Sequence, residues 1–310
     1  MDLIECRQVN IEDYDDVMDI RDDVYDGLDY LPALYRSMMT NHVGYALTVN
    51  KTMVAFRCDA FIDDGETMLT RALRVRKGYE GRGMVNRLGD FISQEIAGNL
   101  RLKRKVFTFG NKTLLKKVEQ GKATLVLQKA ILFYQGLVSK VAPSLPTVTN
   151  TQIRILNKAD MQKLLSSKTD TDRLFPQGRI IADWVPYRLL ATNVDYFFND
   201  FCLILGSDCK NGESVRLELM TLAVSYTVPN GIRYNIEIYG SLTEQLFSCH
   251  MAEHLRKCST FEHENINFVI HYEQGRHDLD IITKTMQQFG MTASDKFHST
   301  IMYAVEELTI

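Results

Sequence analysis

The chain has 310 residues, 45% of them hydrophobic and 24% charged, a balance that supplies ample core and excludes collagen-like, disordered and membrane-embedded classes. With 36 Lys+Arg against 39 Asp+Glu the net charge is only −3, so no bulk cationic surface argues for a nucleic acid or an anionic membrane as partner. The length suggests two domains of about 150 residues each. The opening residues lack the basic start and apolar middle of a signal peptide, and no apolar run of about 18 residues occurs. Six dispersed cysteines without a C-x-x-C pair then read as reduced thiols of a cytoplasmic protein.

In chain order, residues 3–9 alternate apolar and polar as a half-buried strand does, and Asn10-x-x-Asp13 supplies a helix cap. The spacing predicts a helix to about residue 25, interrupted at Gly27, and a second short helix from Pro32 to about residue 39. Strand-like runs at 44–49 and 53–62 are split by Asn50-Lys51, and Asp63-Asp64-Gly65 turns into a third strand at 67–75, giving an antiparallel meander. A glycine-rich loop, Arg76-Lys77-Gly78-Tyr79-Glu80-Gly81-Arg82-Gly83, follows and opens a helix with Val85, Leu88, Phe91, Ile92 and Ile96 at helical spacing. A strand at 106–109, a short helix at 112–119 and a long strand region at 123–134 come next. Two prolines in residues 141–150 mark the expected boundary between an N-terminal domain, 1–142, and a C-terminal one, 151–310, with 143–150 as linker.

The second half begins as the first did, with a strand at 153–155 and the cap Asn157-x-x-Asp160. Strands at 216–228 and 234–239 joined by Pro229-Asn230-Gly231, a helix at 242–255, a strand at 268–272, a helix at 279–289 and a strand at 300–305 complete a similar order. A divergent internal duplication accounts for this. Where the second copy should carry a glycine loop it has Gly240-Ser241-Leu242-Thr243, so a second phosphate cradle is not expected.

Charge is segregated: residues 1–30 hold eleven acids and two arginines, and residues 71–129 hold fifteen Lys+Arg and four acids. These are either two solvated faces or a basic region for an anionic ligand beside an acidic one. The glycine loop follows an antiparallel strand and lacks Gly-Lys-Ser/Thr, which disfavours a P-loop and a dinucleotide site. Backbone N–H groups at Gly81, Arg82, Gly83, Met84 and Val85 would instead converge on a pyrophosphate at the helix N-terminus.

This order of elements through residue 140 or so resembles the GNAT superfamily of acetyl-CoA-dependent acetyltransferases, a mixed α/β fold. The resemblance implies acetyl-CoA as co-substrate, with Leu73 and Val75 offering backbone groups to its pantetheine arm. The segments Tyr25-Asp26-Gly27-Leu28-Asp29-Tyr30-Leu31-Pro32, Ile62-Asp63-Asp64-Gly65-Glu66-Thr67, Leu73-Arg74-Val75 and Ile180-Ile181-Ala182-Asp183-Trp184-Val185-Pro186-Tyr187-Arg188 are similar to the vertebrate histidine N-acetyltransferase family. That similarity implies transfer of acetyl from acetyl-CoA to the α-amino group of L-histidine, with a degenerate GNAT-like second half. Departures are Glu80, Val85, Arg71 and the lack of a Tyr on the 112–119 helix. They leave a second reading open, an acyl-CoA-binding protein without catalysis.

An amine must be uncharged to attack a thioester, and an α-amino group of pKa about 8 is partly so near neutrality. Glu66 is the expected general base, acting through a water, with Asp63 and Asp64 as turn residues or further carboxylates. Following the GNAT resemblance, residues 25–32 form the acceptor wall, where Asp26 and Asp29 could hold an ammonium and Tyr30 could stack on an imidazole, or the segment could simply be a helix stop with a packed Tyr. Asp183, Trp184 and Arg188 are the acceptor candidates of the second half, Arg188 suited to a carboxylate by its bidentate fork. His250-Met251-Ala252-Glu253-His254 matches an inverted zinc-peptidase signature, but only 56 residues follow for a further acidic ligand. A solvated helix face is the preferred reading there, and no metal is expected.

Overall fold

The computed structural model describes residues 2–112, 114–141, 153–211 and 214–308. The chain forms two compact units, one of residues up to Phe107 with the C-terminal end from Glu306, the other of Thr108–Val305. The expected linker at 143–150 lies outside the described residues. Among the described residues no helix is long and apolar enough to cross a membrane.

The first unit runs β1 (Ile4–Val9), α1 (Tyr14–Met18), α2 (Leu31–Asn41), β2 (Val43–Val49), β3 (Thr52–Ile62), β4 (Thr67–Val75), α3 (Met84–Glu95) and β5 (Arg104–Phe109). Its sheet has the order β1-β2-β3-β4-β5, antiparallel except for β4 with β5. The β2–β3 hairpin turns on Asn50 and Lys51, both left-handed at φ 50° and 69°, which matches the right-handed twist of the strands it joins. Buried Met84, Leu88 and Ile92 of α3 pack on Tyr45, Leu47, Val49 and Ala55. Phe56, next to Ala55, instead meets Tyr35 of α2. Alternate strand residues point to opposite faces, so α2 and α3 cover the two sides of the sheet.

The helix expected to reach residue 25 stops at Met18. Asp19, Asp22 and Asp23 would oppose the helix dipole at its C-terminal end, and aspartate favours turns over helix interiors. Tyr25 and Asp26 then adopt left-handed φ of 54° and 51° ahead of Gly27 at 83°.

The second unit adds α4 (Leu115–Glu119), β6 (Thr124–Leu137), α5 (Val138–Val141), β7 (Ile153–Ile155), α6 (Lys158–Ser166), α7 (Lys168–Leu174), β8 (Arg179–Ala182), β9 (Val185–Arg188), β10 (Cys202–Asn211), β11 (Ser214–Val228), β12 (Gly231–Gly240), α8 (Glu244–Cys258), β13 (Asn265–Tyr272), α9 (Leu279–Gln288), β14 (Thr292–Ala293) and β15 (Ile301–Leu308). Strands β6-β13-β12-β11-β10-β7 lie side by side, with β12 and β13 parallel and joined through α8. Phe247, Met251 and Leu255 of α8 and Ile282 and Met286 of α9 cover Tyr234, Ile236, Phe268 and Ile270. Both expected caps form: Asn10 with Asp13, and Asn157 with Asp160, each exchange its side-chain and backbone bonds as a capping box. Gly240, at the place of the missing second loop, is a packing glycine, since a Cβ there would meet the Glu218 carbonyl oxygen at 2.2 Å.

The histidines of α8 do not form a solvated face. His250 and His254 are fully buried, and a line of hydroxyls joins them: Ser207 Oγ to His250 Nε2 at 2.8 Å, His250 Nδ1 to Thr221 Oγ1 at 2.8 Å, Thr221 Oγ1 to His254 Nε2 at 2.8 Å, and His254 Nδ1 to the Tyr234 hydroxyl at 3.0 Å. Burial pushes the His250 imidazole from 6.5 down to about 3, so it folds neutral. Its contribution to stability is full above pH 6.5 and is lost as the pH falls toward 3. The melting temperature should therefore fall through that window. His250→Gln, which cannot titrate there, should lessen the dependence, to which His254, also held neutral by burial, still contributes, while costing about 1–3 kcal/mol at neutral pH.

Candidate active site

The site begins where β4 leaves β5. Among the described residues their parallel pairing covers only Thr67–Leu69 against Arg104–Val106, and beyond it β4 is paired to β3. A bulge then sets Ala72 and Leu73 opposite Arg57 alone, between the pairs Cys58 with Arg71 and Phe56 with Arg74. Ala72 takes a left-handed φ of 52°, and its N–H donates to the Tyr30 hydroxyl at 3.0 Å. Leu73, half exposed at 48%, sits on the part of β4 past the end of that pairing.

A cleft of about 510 Å3 lies beside this edge, lined by Leu73, Val75, Gly81, Gly83, Met84 and Val85 together with Arg21 and Tyr79. Six of the seven residues expected to bind the co-substrate thus share one cleft. Arg82, the seventh, lies in the same loop with its guanidinium 5.4 Å from the Tyr79 ring centre. Gly81 and Gly83 are left-handed at φ 71° and 78°, and a Cβ at either would touch nothing within 4 Å. Backbone conformation, not space, therefore requires glycine there. Gly83 caps α3 with no side-chain hydrogen bond, which leaves the first-turn N–H groups and the positive helix end for an anion.

The acid-rich N-terminal segment meets the basic loop directly. Arg76 pairs with Asp19 at 2.7 Å, Lys77 with Asp23 at 2.9 Å, and Arg21 with both Asp23 and Glu80 at 2.6 Å. Glu80, an acid beside the anion site, is thus paired by Arg21, a partner the sequence did not suggest. Lys77 foremost, with Arg21, holds the Asp23 carboxyl down to about 2.

A second cleft of about 280 Å3 lies beyond β4, lined by Tyr25, Asp29, Tyr30, Ala72 and Arg74 and sharing Arg21, Leu73 and Val75 with the first. Asp29 is buried and committed: its Oδ1 accepts the Leu31 N–H at 3.1 Å, and both its oxygens lie 2.6 Å from Arg74 Nη2. It holds a guanidinium where an ammonium was expected. Tyr30 lines the cleft with its hydroxyl on the bulge and the Arg71 guanidinium 5.3 Å from its ring centre.

Glu66 is placed elsewhere. It precedes β4 at the end opposite Leu73, roughly 20 Å away at about 3.3 Å per strand residue. Its carboxylate pairs with Lys103 and, at 3.2 Å, with Arg104; Lys103 foremost holds it below the usual carboxylate range. Asp63 and Asp64, left-handed at φ 55° and 61°, form the β3–β4 turn at the same end.

In the second unit, Asp183 and Trp184 are the two left-handed residues, φ 47° and 68°, of the β8–β9 turn. The Asp183 carboxylate accepts from the Tyr226 hydroxyl at 2.9 Å and from Asn235 at 3.2 Å. Trp184 stands edge-on to His271, whose imidazole pairs with Glu237 at 2.5 Å, and Lys129 reaches the same carboxylate at 3.0 Å. Arg188 lies at the far end of β9, opposite Arg179. Sequence reasoning missed Arg21 and Tyr79 as lining residues; their signal was their place at the edge of the acidic run and inside the glycine loop.

The family described as Histidine N-acetyltransferase, C-terminal, matches residues 149–273. Histidine N-acetyltransferase of Scomber australasicus is 27% identical over 265 residues, covering 78% of this chain and 77% of its own length. A tandem GNAT protein from the clavulanic acid biosynthesis pathway shares the fold with TM-score 0.59 at 10% identity, covering 99% of this chain and 98% of its own. Saccharomyces cerevisiae N-myristoyltransferase, solved with bound myristoyl-CoA, does so with TM-score 0.56 at 10% identity, covering 99% and 83%. The fold and these relationships define an acyl-CoA-dependent N-acetyltransferase of the GNAT class. Within that class the chain is similar to histidine N-acetyltransferases, at 27% identity to one of them over 265 residues.

Two substitutions test the anion cleft by calorimetry with CoA. Gly83→Val forces a β-branched residue into a left-handed backbone and should weaken binding about ten-fold or more. Glu80→Gln removes the acid paired to Arg21 and should strengthen binding about two- to five-fold at low salt, an effect that shrinks as salt is added.

Proposed function

We propose that this enzyme transfers the acetyl group of acetyl-CoA to the α-amino group of L-histidine or a closely related small amine. The observation that carries the reading is the pair of clefts that share Leu73 and Val75 on the freed edge of β4. One is suited to a phosphate-bearing co-substrate at a helix N-terminus, the other to an acceptor. The similarity to histidine N-acetyltransferases supplies the acceptor.

The amine lone pair attacks the thioester carbonyl, the C–N bond forms, the C–S bond breaks, and CoA leaves as a thiolate that is protonated while the nitrogen gives up one proton. Backbone N–H groups near Leu73 would polarise the carbonyl as negative charge develops on its oxygen. An α-amine of pKa about 8 supplies a neutral fraction without a strong base. From its position Glu66 could act only through a long water path, so its share in catalysis should be small. The six cysteines are free thiols, which supports a cytoplasmic enzyme.

The test is CoA release from acetyl-CoA across free amino acids, histamine and polyamines, with mass spectrometry of the product. The expected outcome is Nα-acetylhistidine, with kcat/KM rising with pH to a plateau above about 8. CoA binding with no acceptor acetylated would sink the reading. Glu66→Gln should leave kcat within about three-fold; a loss of the 10²-fold order typical of a general base would restore Glu66 to that role.

A further inference from the structure

We propose that Arg74 is a carboxylate anchor in the smaller cleft, so that the acceptor is an amine bearing a carboxylate, an α-amino acid and not a bare amine. This rests on the acetyl-transfer reading above and narrows its substrate class.

Arg74 follows the bulge on β4, is only 5% exposed and lines the cleft beside Asp29, Tyr30 and Leu73. A guanidinium presents five N–H donors in a rigid fork that matches a carboxylate two donors at a time. Asp29 does not use that fork fully: both its oxygens lie on Nη2, while Nη1 and Nε are buried with no hydrogen-bond partner. Buried charged donors left unpaired are costly, and a second carboxylate would pair them once the side chains that close over them move aside as the acceptor enters the cleft. The Leu31 N–H at the start of α2 also holds Asp29, which opposes its turning to do so.

The arrangement also fits the chemistry of transfer. Asp29 balances the guanidinium charge, so the cleft suits a zwitterion better than a free anion. In an α-amino acid the nitrogen is two bonds from the carboxyl carbon. A carboxylate on Arg74 therefore keeps the amine beside Leu73, the next residue along β4, which also lines the co-substrate cleft. Histamine, which lacks the carboxylate, would leave both donors unpaired and its amine unfixed.

The experiment compares L-histidine, L-histidinamide and histamine as acceptors at saturating acetyl-CoA, for the wild-type chain and for Arg74→Lys. Lysine keeps a cation on Asp29, protecting the fold, but has no second arm for a ligand. The wild type should favour histidine by about ten-fold or more in kcat/KM. Arg74→Lys should raise the KM for histidine about ten- to hundred-fold with little change in kcat, erase the preference over histidinamide, and leave CoA affinity and melting temperature near those of the wild type. Arg74→Met paired with Asp29→Asn should behave likewise, without an unpaired buried charge. Equal use of all three acceptors by the wild type, or a preference that survives Arg74→Lys, would overturn the anchor while acetyl transfer stands. Acetylation of none of the three would overturn the transfer reading and the anchor together.

Discussion

Past Leu69 the edge of β4 is released from β5, and the bulge at Ala72 and Leu73 turns a backbone N–H out of the sheet to the Tyr30 hydroxyl. A regular strand would spend its N–H and C=O groups on two neighbours, leaving none for a ligand. Here one strand faces two clefts, with Leu73 and Val75 common to both. The left-handed φ at Ala72 is an uncommon conformation for a residue with a side chain, and Tyr30 helps to hold it. Strain of this kind is at home where a backbone must meet a ligand.

Electrostatics reinforces that geometry. The acidic run before α2 and the basic loop after β4 are far apart in sequence, and folding pairs them through Asp19, Arg21, Asp23, Arg76, Lys77 and Glu80. The near-zero net charge conceals this. Exposed pairs of this sort add little stability, so their main effect is to set the field in which an anionic ligand arrives. Arg21, bonded to two carboxylates, lines both clefts.

Much of this was legible in the sequence because local rules carried it. Asn50-Lys51 announced a hairpin, the Asn-x-x-Asp pairs announced two caps, and glycines before an amphipathic helix announced the loop. What escaped depends on contacts distant in sequence. A bulge of one residue breaks the alternation that says which side chains face inward, so the pairing of Arg74 with Asp29 was not legible and Asp29 read as a carboxylate that could hold an ammonium. The helix ending at Met18 shows helix-like spacing overruled by accumulated aspartates. His250 and His254 looked exposed because histidine on a helix usually is, whereas three hydroxyls from β10, β11 and β12 make their burial possible. Glu66 was chosen for nearness in sequence to β4, and the strand's own length carries it away from Leu73.

The proposed reaction requires the freed edge of β4 and the α3 N-terminus to receive one ligand. Hydrogen–deuterium exchange of the whole chain with and without acetyl-CoA tests this most directly. Slowed exchange should appear together in residues 72–76 and 81–87 and be absent from the turn at 63–66. Protection confined to other segments, or none at saturating acetyl-CoA, would contradict it.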